Sequence, residues 1–131
     1  MDIFILQKKS LTDLKTPIRR NEYTTAAATL GELIDEMVER NTHKKPDAPD
    51  YLAIFDGLTE ANETRYAYES RKAKYKLSEM QEFARQAFED KIYLVKNVTS
   101  GVQYGALDEL LNLTDGDELA FIKLKYVRGF I

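Results

Sequence analysis

The stretch DGDELAFIKLKYVRG, residues 115–129, decides the fold, because it reads as a tight turn followed by one long strand. Asp115 and Asp117 can hydrogen-bond to nearby backbone, and Gly116 can adopt a positive φ without a Cβ clash. Strand alternation then places Leu119, Phe121, Lys123 and Lys125 on one face and Ala120, Ile122, Leu124 and Tyr126 on the other. The second face is apolar throughout, whereas the first becomes basic. We therefore expect an interior strand of a one-sided sheet, with Phe121, Ile122 and Leu124 buried.

The opening residues MDIFILQ, 1–7, are apolar on both faces of a strand, since Ile3 and Ile5 alternate with Phe4 and Leu6. This pattern is typical of a strand buried on both sides. We expect it to pair in parallel with the 118–127 strand. Residues 18–25 predict a second strand, which would form a hairpin with the first.

Two helices are predicted by their capping boxes. Residues 29–32, TLGE, begin the first, whose apolar stripe repeats at helical spacing: Leu30, Leu33, Ile34, Met37 and Val38. Residues 78–81, SEMQ, begin the second, whose stripe is Met80, Phe83, Ala84, Ala87 and Phe88.

The remaining segments are read from turn residues and short apolar runs. Residues 41–50 hold two prolines and predict a loop, residues 51–55 and 92–95 predict strands, and residues 99–105 predict a loop. Residues 107–113 fit either a helical turn or a strand.

The 115–129 turn and strand, the opening MDIFILQ and the helix in the middle together resemble the β-grasp superfamily, which includes ubiquitin and the sulfur-carrier subunits of molybdopterin and thiamine synthesis. The resemblance implies an α+β fold: a β-grasp-like mixed sheet packed on helices, with an inserted polar segment. We expect a single domain, 1–131, with the insertion at about 41–76. The chain departs from ubiquitin-like modifiers at its end, which reads Arg128-Gly129-Phe130-Ile131 instead of Gly-Gly.

Composition bounds the class of protein. The 131 residues suffice for one domain, and 44% hydrophobic with 31% charged residues is ordinary for a globular chain. A net charge of −3 indicates neither a nucleic-acid nor a membrane partner. No segment resembles a signal peptide or a membrane span, so we expect a small soluble cytoplasmic protein without a membrane partner.

The residues that carry most enzyme chemistry are scarce. The chain has no cysteine, which excludes disulfides, thiolate metal sites and a cysteine nucleophile, and its one histidine, His43, cannot assemble a zinc site alone. The six glycines are scattered, so no phosphate-binding loop is present. We expect no enzyme, no cofactor and no metal.

Residues 59–76 differ from the rest because basic and aromatic side chains interleave there. Single-stranded nucleic acid favours this composition, in which charges meet phosphates and rings stack on bases. The candidate contacts are Arg65, Tyr66, Tyr68, Arg71, Lys72 and Lys74. Three glutamates, Glu60, Glu63 and Glu69, dilute the positive field, and an ordinary surface element explains the segment equally well.

Three functions remain open. The first is a non-enzymatic protein-binding module or accessory subunit with a ubiquitin-like fold, whose exposed sheet face presents Lys123, Lys125, Tyr126 and Arg128 to a protein partner. The resemblance implies an alternative, a ubiquitin-like modifier or sulfur carrier activated at Gly129 after removal of Phe130 and Ile131. A nucleic-acid-binding protein using residues 65–76 is the second alternative.

Overall fold

The computed structural model describes residues 1–8, 19–45, 47–52, 55 and 76–124. Within them the chain forms a mixed sheet and two helices. In order these are β1 (Asp2–Lys8), β2 (Arg19–Thr24), α1 (Leu30–Asn41), α2 (Leu77–Glu89), β3 (Tyr93–Asn97), β4 (Val102–Gln103) and β5 (Glu118–Lys123). The strands predicted near 18–25, 92–95 and 118–127 are thus present, and Leu124 already lies outside β5.

The strand order is β2-β1-β5-β3-β4. β1 and β5 run parallel at the centre, with Ile5 opposite Leu119, and the other neighbours are antiparallel. The predicted β1–β2 hairpin, the parallel pairing and the interior position of β5 are therefore confirmed. The architecture is α+β, a mixed sheet packed with two helices.

The 115–117 turn fixes the start of β5 against the start of β1. Gly116 has φ +89°, which a residue without Cβ adopts freely. Its N–H donates to the Asp2 carbonyl at 2.8 Å, and the Asp2 N–H donates to Asp115 Oδ1 at 3.1 Å. The predicted turn chemistry is confirmed, and it sets the register of the parallel pair.

Helix α1 begins at the predicted capping box. The Glu32 N–H donates to Thr29 Oγ1 and the Thr29 N–H donates to Glu32 Oε1, both at 3.2 Å. Every member of the predicted stripe is buried: Leu30, Leu33, Ile34, Met37 and Val38.

Helix α2 begins one residue before the predicted cap. Its N-cap is Lys76, whose N–H donates to Glu79 Oε1 at 2.9 Å, so Ser78 lies inside the helix and is exposed. The prediction of Ser78 as the cap is wrong because Glu79, three residues after Lys76, reaches back to that earlier N–H group. Ala84, Ala87 and Phe88 of the stripe are buried, while its other two members are half-buried.

The end of α2 is closed by a Schellman arrangement. The Lys91 N–H donates to the Phe88 carbonyl at 3.0 Å and the Ile92 N–H to the Ala87 carbonyl at 2.9 Å. Lys91 adopts φ +60°, a position at which glycine is usual.

The strand predicted at 51–55 is wrong for the described residues. Tyr51 and Leu52 are not in a strand, and Phe55 lies in a short 3₁₀ turn. The Leu52 backbone is held instead by a side chain, because its N–H donates to Asn41 Oδ1 at 2.8 Å and its carbonyl accepts from Asn41 Nδ2 at 3.2 Å. Tyr51 and Leu52 are nevertheless core residues, so part of the predicted insertion packs inside the molecule.

The expected burial on β5 is confirmed for Phe121 and is wrong for Ile122 and Leu124. Leu119 and Phe121 are 0% exposed, Ile122 is half-buried and Leu124 is 38% exposed. The helices cover the side that carries Ile3 and Ile5 of β1, and the parallel register places Leu119 on that side. On β1 the prediction of a strand buried on both sides holds for one side only: Ile3 and Ile5 are buried, and Phe4 and Leu6 on the other side are half-buried.

The 99–113 region is mostly irregular, although the loop predicted at 99–105 contains β4. The ambiguous 107–113 segment docks on the first turn of α1: the Leu30 N–H donates to the Glu109 carbonyl at 3.1 Å and the Gly31 N–H to the Leu107 carbonyl at 2.8 Å. A Cβ on Gly31 would lie 3.2 Å from that Leu107 oxygen, so glycine permits the close approach.

Candidate protein-interaction face

The side of the sheet turned away from the helices carries an apolar cluster, here called the open-face patch. It consists of Phe4, Leu6, Leu94, Ile122 and Leu124. The strand registers bring these residues to one face. Leu94 lies opposite Ile122, and Leu6 lies opposite Ala120, which is on the same face of β5 as Ile122. None of the five belongs to the core cluster or packs against it.

An ion pair fixes one border of the patch. Arg20 of β2 reaches across β1 to Glu118 of β5, with Nε 2.8 Å from Oε2. Its guanidinium lies 3.7 Å above the centroid of the Phe4 ring, within cation–π distance. The Arg20 side chain remains 53% exposed, so the pair itself adds little stability but presents an ordered charge next to the apolar residues.

A cleft continues the patch around the edge of β3. It has a volume of about 600 Å³ and shares Leu94 and Leu124 with the patch. Tyr104 and Leu107 extend the apolar wall, and Lys91 and Asp108 contribute charged groups. Concave apolar surfaces bordered by charge are where binding anchors concentrate at protein interfaces.

The tyrosines on the helix side have structural roles. The Tyr93 hydroxyl donates to the Ala84 carbonyl at 2.7 Å, and the Tyr23 hydroxyl donates to Glu36 Oε1 at 2.9 Å. Burial raises the pKa of both phenols above the ordinary range; nearby Glu36 raises that of Tyr23 further, and Asp35 that of Tyr93. Both hydroxyls stay protonated near neutral pH and serve as fixed donors.

Buried polar side chains are likewise accounted for by the fold. Asn97, which is 1% exposed, donates from Nδ2 to Asp117 Oδ2 at 2.9 Å and accepts from the Ser100 N–H at 3.0 Å. Asp117 Oδ2 also accepts from the Thr114 N–H at 3.0 Å. This network holds the turn before β5 to the end of β3 and leaves no need for a catalytic explanation.

The structure describes one of the binding residues predicted from sequence. Lys123 ends β5, is half-buried, and by alternation lies on the helix side with Phe121, opposite Tyr93. Lys125, Tyr126, Arg128 and the conjugation candidate Gly129 lie outside the described residues, as do the nucleic-acid candidates Arg65, Tyr66, Tyr68, Arg71, Lys72 and Lys74. These assignments stay predictions.

The open-face patch was not identified from sequence, although a signal for it exists. β1 and β5 each carry apolar residues at both alternating sets of positions. In a sheet covered on one side only, one of the two sets must face away from the core. The combination of a one-sided sheet with two-sided apolar strands therefore predicts an apolar surface.

Comparison of the chain with protein-family models, with curated proteins and with solved structures gave no match. Among the helices that the structure describes, none is long and apolar enough to span a bilayer. Within the same part of the chain, no three or more His, Cys, Asp or Glu side chains come together as a metal site would require.

Proposed function

We propose that this chain is a non-enzymatic protein-binding module with a β-grasp-like fold, and that it docks its partner on the open-face patch. The observation that carries the proposal is the set of five apolar side chains on the sheet face that neither of the two described helices covers. Contiguous apolar surface of this kind marks interaction sites in soluble proteins.

The β-grasp-like assignment is supported by the order of elements. The first and last strands pair in parallel at the centre of the sheet, and a helix follows the β1–β2 hairpin. The sequence resemblance rests on the same opening strand, closing strand and intervening helix.

The partner is a protein with an apolar contact surface and a polar border. Leu94 and Ile122 would act as its central anchors, because they lie opposite each other on neighbouring strands. Leu124 extends the contact towards the cleft. Lys125 and Tyr126, which follow it in the sequence, stay predicted contacts. Arg20, held by Glu118, borders the opposite side of the contact.

Site-specific photo-crosslinking tests the proposal. A photoreactive residue is placed at position 94, at position 122 or, as a control, at position 110, which is 59% exposed but outside the sheet face. Proteins cross-linked in an extract of the native cells are identified by mass spectrometry. We expect the same partner from positions 94 and 122 and not from position 110.

The purified partner is then titrated against variants. Leu94→Ser with Ile122→Ser should weaken binding by on the order of 100-fold, as loss of central anchors does, whereas Leu110→Ser should bind like the wild type. Equal binding by all three proteins would refute the patch. Cross-linking to RNA or DNA that depends on Arg71, Lys72 and Lys74 would favour the nucleic-acid alternative, and Gly129 joined to another protein's lysine would favour the modifier.

A further inference from the structure

Strand β2 ends the sheet, so one of its long edges has no neighbouring strand in the described residues. The Thr25 N–H donates to the Met1 carbonyl at 2.9 Å. In an antiparallel ladder the bonded pairs recur at every second residue, so Tyr23 and Asn21 bond to β1. Arg20, Glu22 and Thr24 must then direct their N–H and C=O groups outward.

Part of this outward edge is already covered. The Thr24 carbonyl accepts a hydrogen bond from Arg40 Nη1 of α1. Within the described part of the chain, no group bonds to the outward N–H or C=O of Arg20 or Glu22. Two residues of β2 therefore present an ordered set of donors and acceptors to solvent.

The opposite edge of the sheet is much less suited to pairing. β4 has only two residues, and the N–H of the adjoining Tyr104 donates to the Val95 carbonyl at 3.0 Å. β2 has six residues, enough to align an added strand. The two edges therefore differ in length, and β2 is the one that can accept a neighbour.

The side chains along β2 indicate which strand would fit. Arg20 is already paired with Glu118, whereas Glu22 is exposed and has no ion pair among the described residues. On the helix side, Asn21 Nδ2 donates to the Pro49 carbonyl at 3.0 Å, and the Tyr23 ring lies beneath Arg40 at 4.4 Å. An added strand would thus meet one unpaired carboxylate on the open side, whereas the helix side carries two guanidinium groups, those of Arg19 and Arg40.

We propose that the edge of β2 binds an extended segment of a partner protein as an additional strand. The backbone groups of Arg20 and Glu22 bond to the segment, and a lysine or arginine of the segment lies beside Glu22. This site goes beyond the open-face patch, because it uses backbone groups that substitutions at Leu94 and Ile122 leave in place.

The probes are two blocked heptapeptides, Thr-Val-Glu-Val-Lys-Val-Thr and the same peptide with Glu and Lys exchanged, which cover both strand directions. Each is titrated into ¹⁵N-labelled full-length protein. We expect one of them to shift the Arg20 and Glu22 amide signals and slow their hydrogen exchange. The same peptide N-methylated at alternate amides should bind at least tenfold more weakly, a control that needs no change to the protein.

Substitutions at Glu22 separate its backbone from its charge. Glu22→Pro removes the outward N–H but no bond to β1, since the ladder uses Asn21 and Tyr23. Glu22→Pro should keep the amide NMR signals of β1 and β2 and weaken peptide binding at least tenfold. Glu22→Gln keeps the N–H and loses only the charge that faces the peptide lysine, so it should weaken peptide binding by less than Glu22→Pro. Leu94→Ser with Ile122→Ser should bind the peptide like the wild type.

Three results would overturn this proposal: no binding of either peptide at millimolar concentration, equal binding by the N-methylated peptide, or shifts confined to the open-face patch. The last result would leave the patch as a docking site and remove β2 from the interface. If the Leu94→Ser, Ile122→Ser variant bound the native partner like the wild type, the open-face patch would be removed from the interface and the β2 edge would remain a candidate.

Discussion

The two faces of one sheet are built from alternating residues of the same strands, yet they differ sharply in burial. On the helix side, Ile5 and Leu119 are 0% exposed. On the open side, Phe4 and Ile122 are only half-buried, although they are as apolar as their neighbours. Hydrophobicity along a strand therefore determines that a residue can be buried, whereas the position of the helices determines which residues are.

The largest effect should come from comparing leucines on the two sides. Leu119→Ala should lower the free energy of unfolding by about 2–5 kcal/mol, because it leaves a cavity in the covered layer. Leu124→Ala, at a residue that is 38% exposed, should lower it by less than about 1 kcal/mol. Urea denaturation of both variants measures the difference, and equal losses would contradict the assignment of the faces.

The sequence predicted the elements better than their orientation. The capping box at Thr29 and the turn from Thr114 to Asp117 are closed by local hydrogen bonds, which neighbouring residues determine by themselves. Which face of β5 is covered depends on α1 and β1, which are distant in sequence, and the lysines after Phe121 suggested the wrong side. Asn41 likewise bonds to Leu52 through a contact that no local pattern encodes.

The sequence predicted the type of candidate site but not the residues that form it. Sequence reasoning proposed an exposed sheet face, but placed its contacts on Lys123 and the residues after it. The patch depends on which strands become neighbours, since Leu94 and Ile122 are brought together by the β3–β5 register. Pairing between strands that are distant in sequence is not specified by alternation within either strand.

The next largest effect on stability should come from comparing a polar residue on the helix side with one on the open side. Asn97→Ala should cost about 1–3 kcal/mol of stability, because the buried Asp117 carboxylate loses a donor. The matched control is Lys96→Ala, at the exposed neighbouring position on the open side, which should change stability by less than about 0.5 kcal/mol. Thermal unfolding of both variants distinguishes them; a neutral Asn97→Ala would show that the network adds nothing to stability.

Alkaline pH tests the burial of the helix side. Because the pKa of Tyr93 is raised in the folded state, its contribution is fully present below the ordinary value of about 10 and is lost as pH rises above it. The wild type should lose up to about 1.4 kcal/mol per pH unit above pH 10 from this residue, a loss that Tyr93→Phe lacks.

At pH 7 the Tyr93→Phe variant should be about 0.5–1.5 kcal/mol less stable than the wild type, because the bond to the Ala84 carbonyl is absent. The gap should narrow between pH 10 and pH 11 in parallel urea titrations. A constant gap across this range would mean that Tyr93 ionises equally in both states.

The smallest expected change is a gain. Lys91→Gly should stabilise the protein by about 0.5–1 kcal/mol, since glycine adopts the φ of +60° at the end of α2 without strain. Denaturant unfolding measures the gain, and Lys91→Ala, which keeps the Cβ, is the control and should show none.

The parallel pairing of β1 with β5 has a consequence for the order of events during synthesis. Phe4 is paired opposite Glu118, so the two central strands come from nearly opposite ends of the described chain. At ribosomal rates of roughly 5–20 residues per second, β1 must wait several seconds for its neighbour. During that interval the edge of DIFILQK that β5 will later occupy is open, and a strand so apolar is prone to pair with other chains. Folding of the centre is therefore a late, long-range step, and the nascent chain is most vulnerable to misassociation just before β5 emerges.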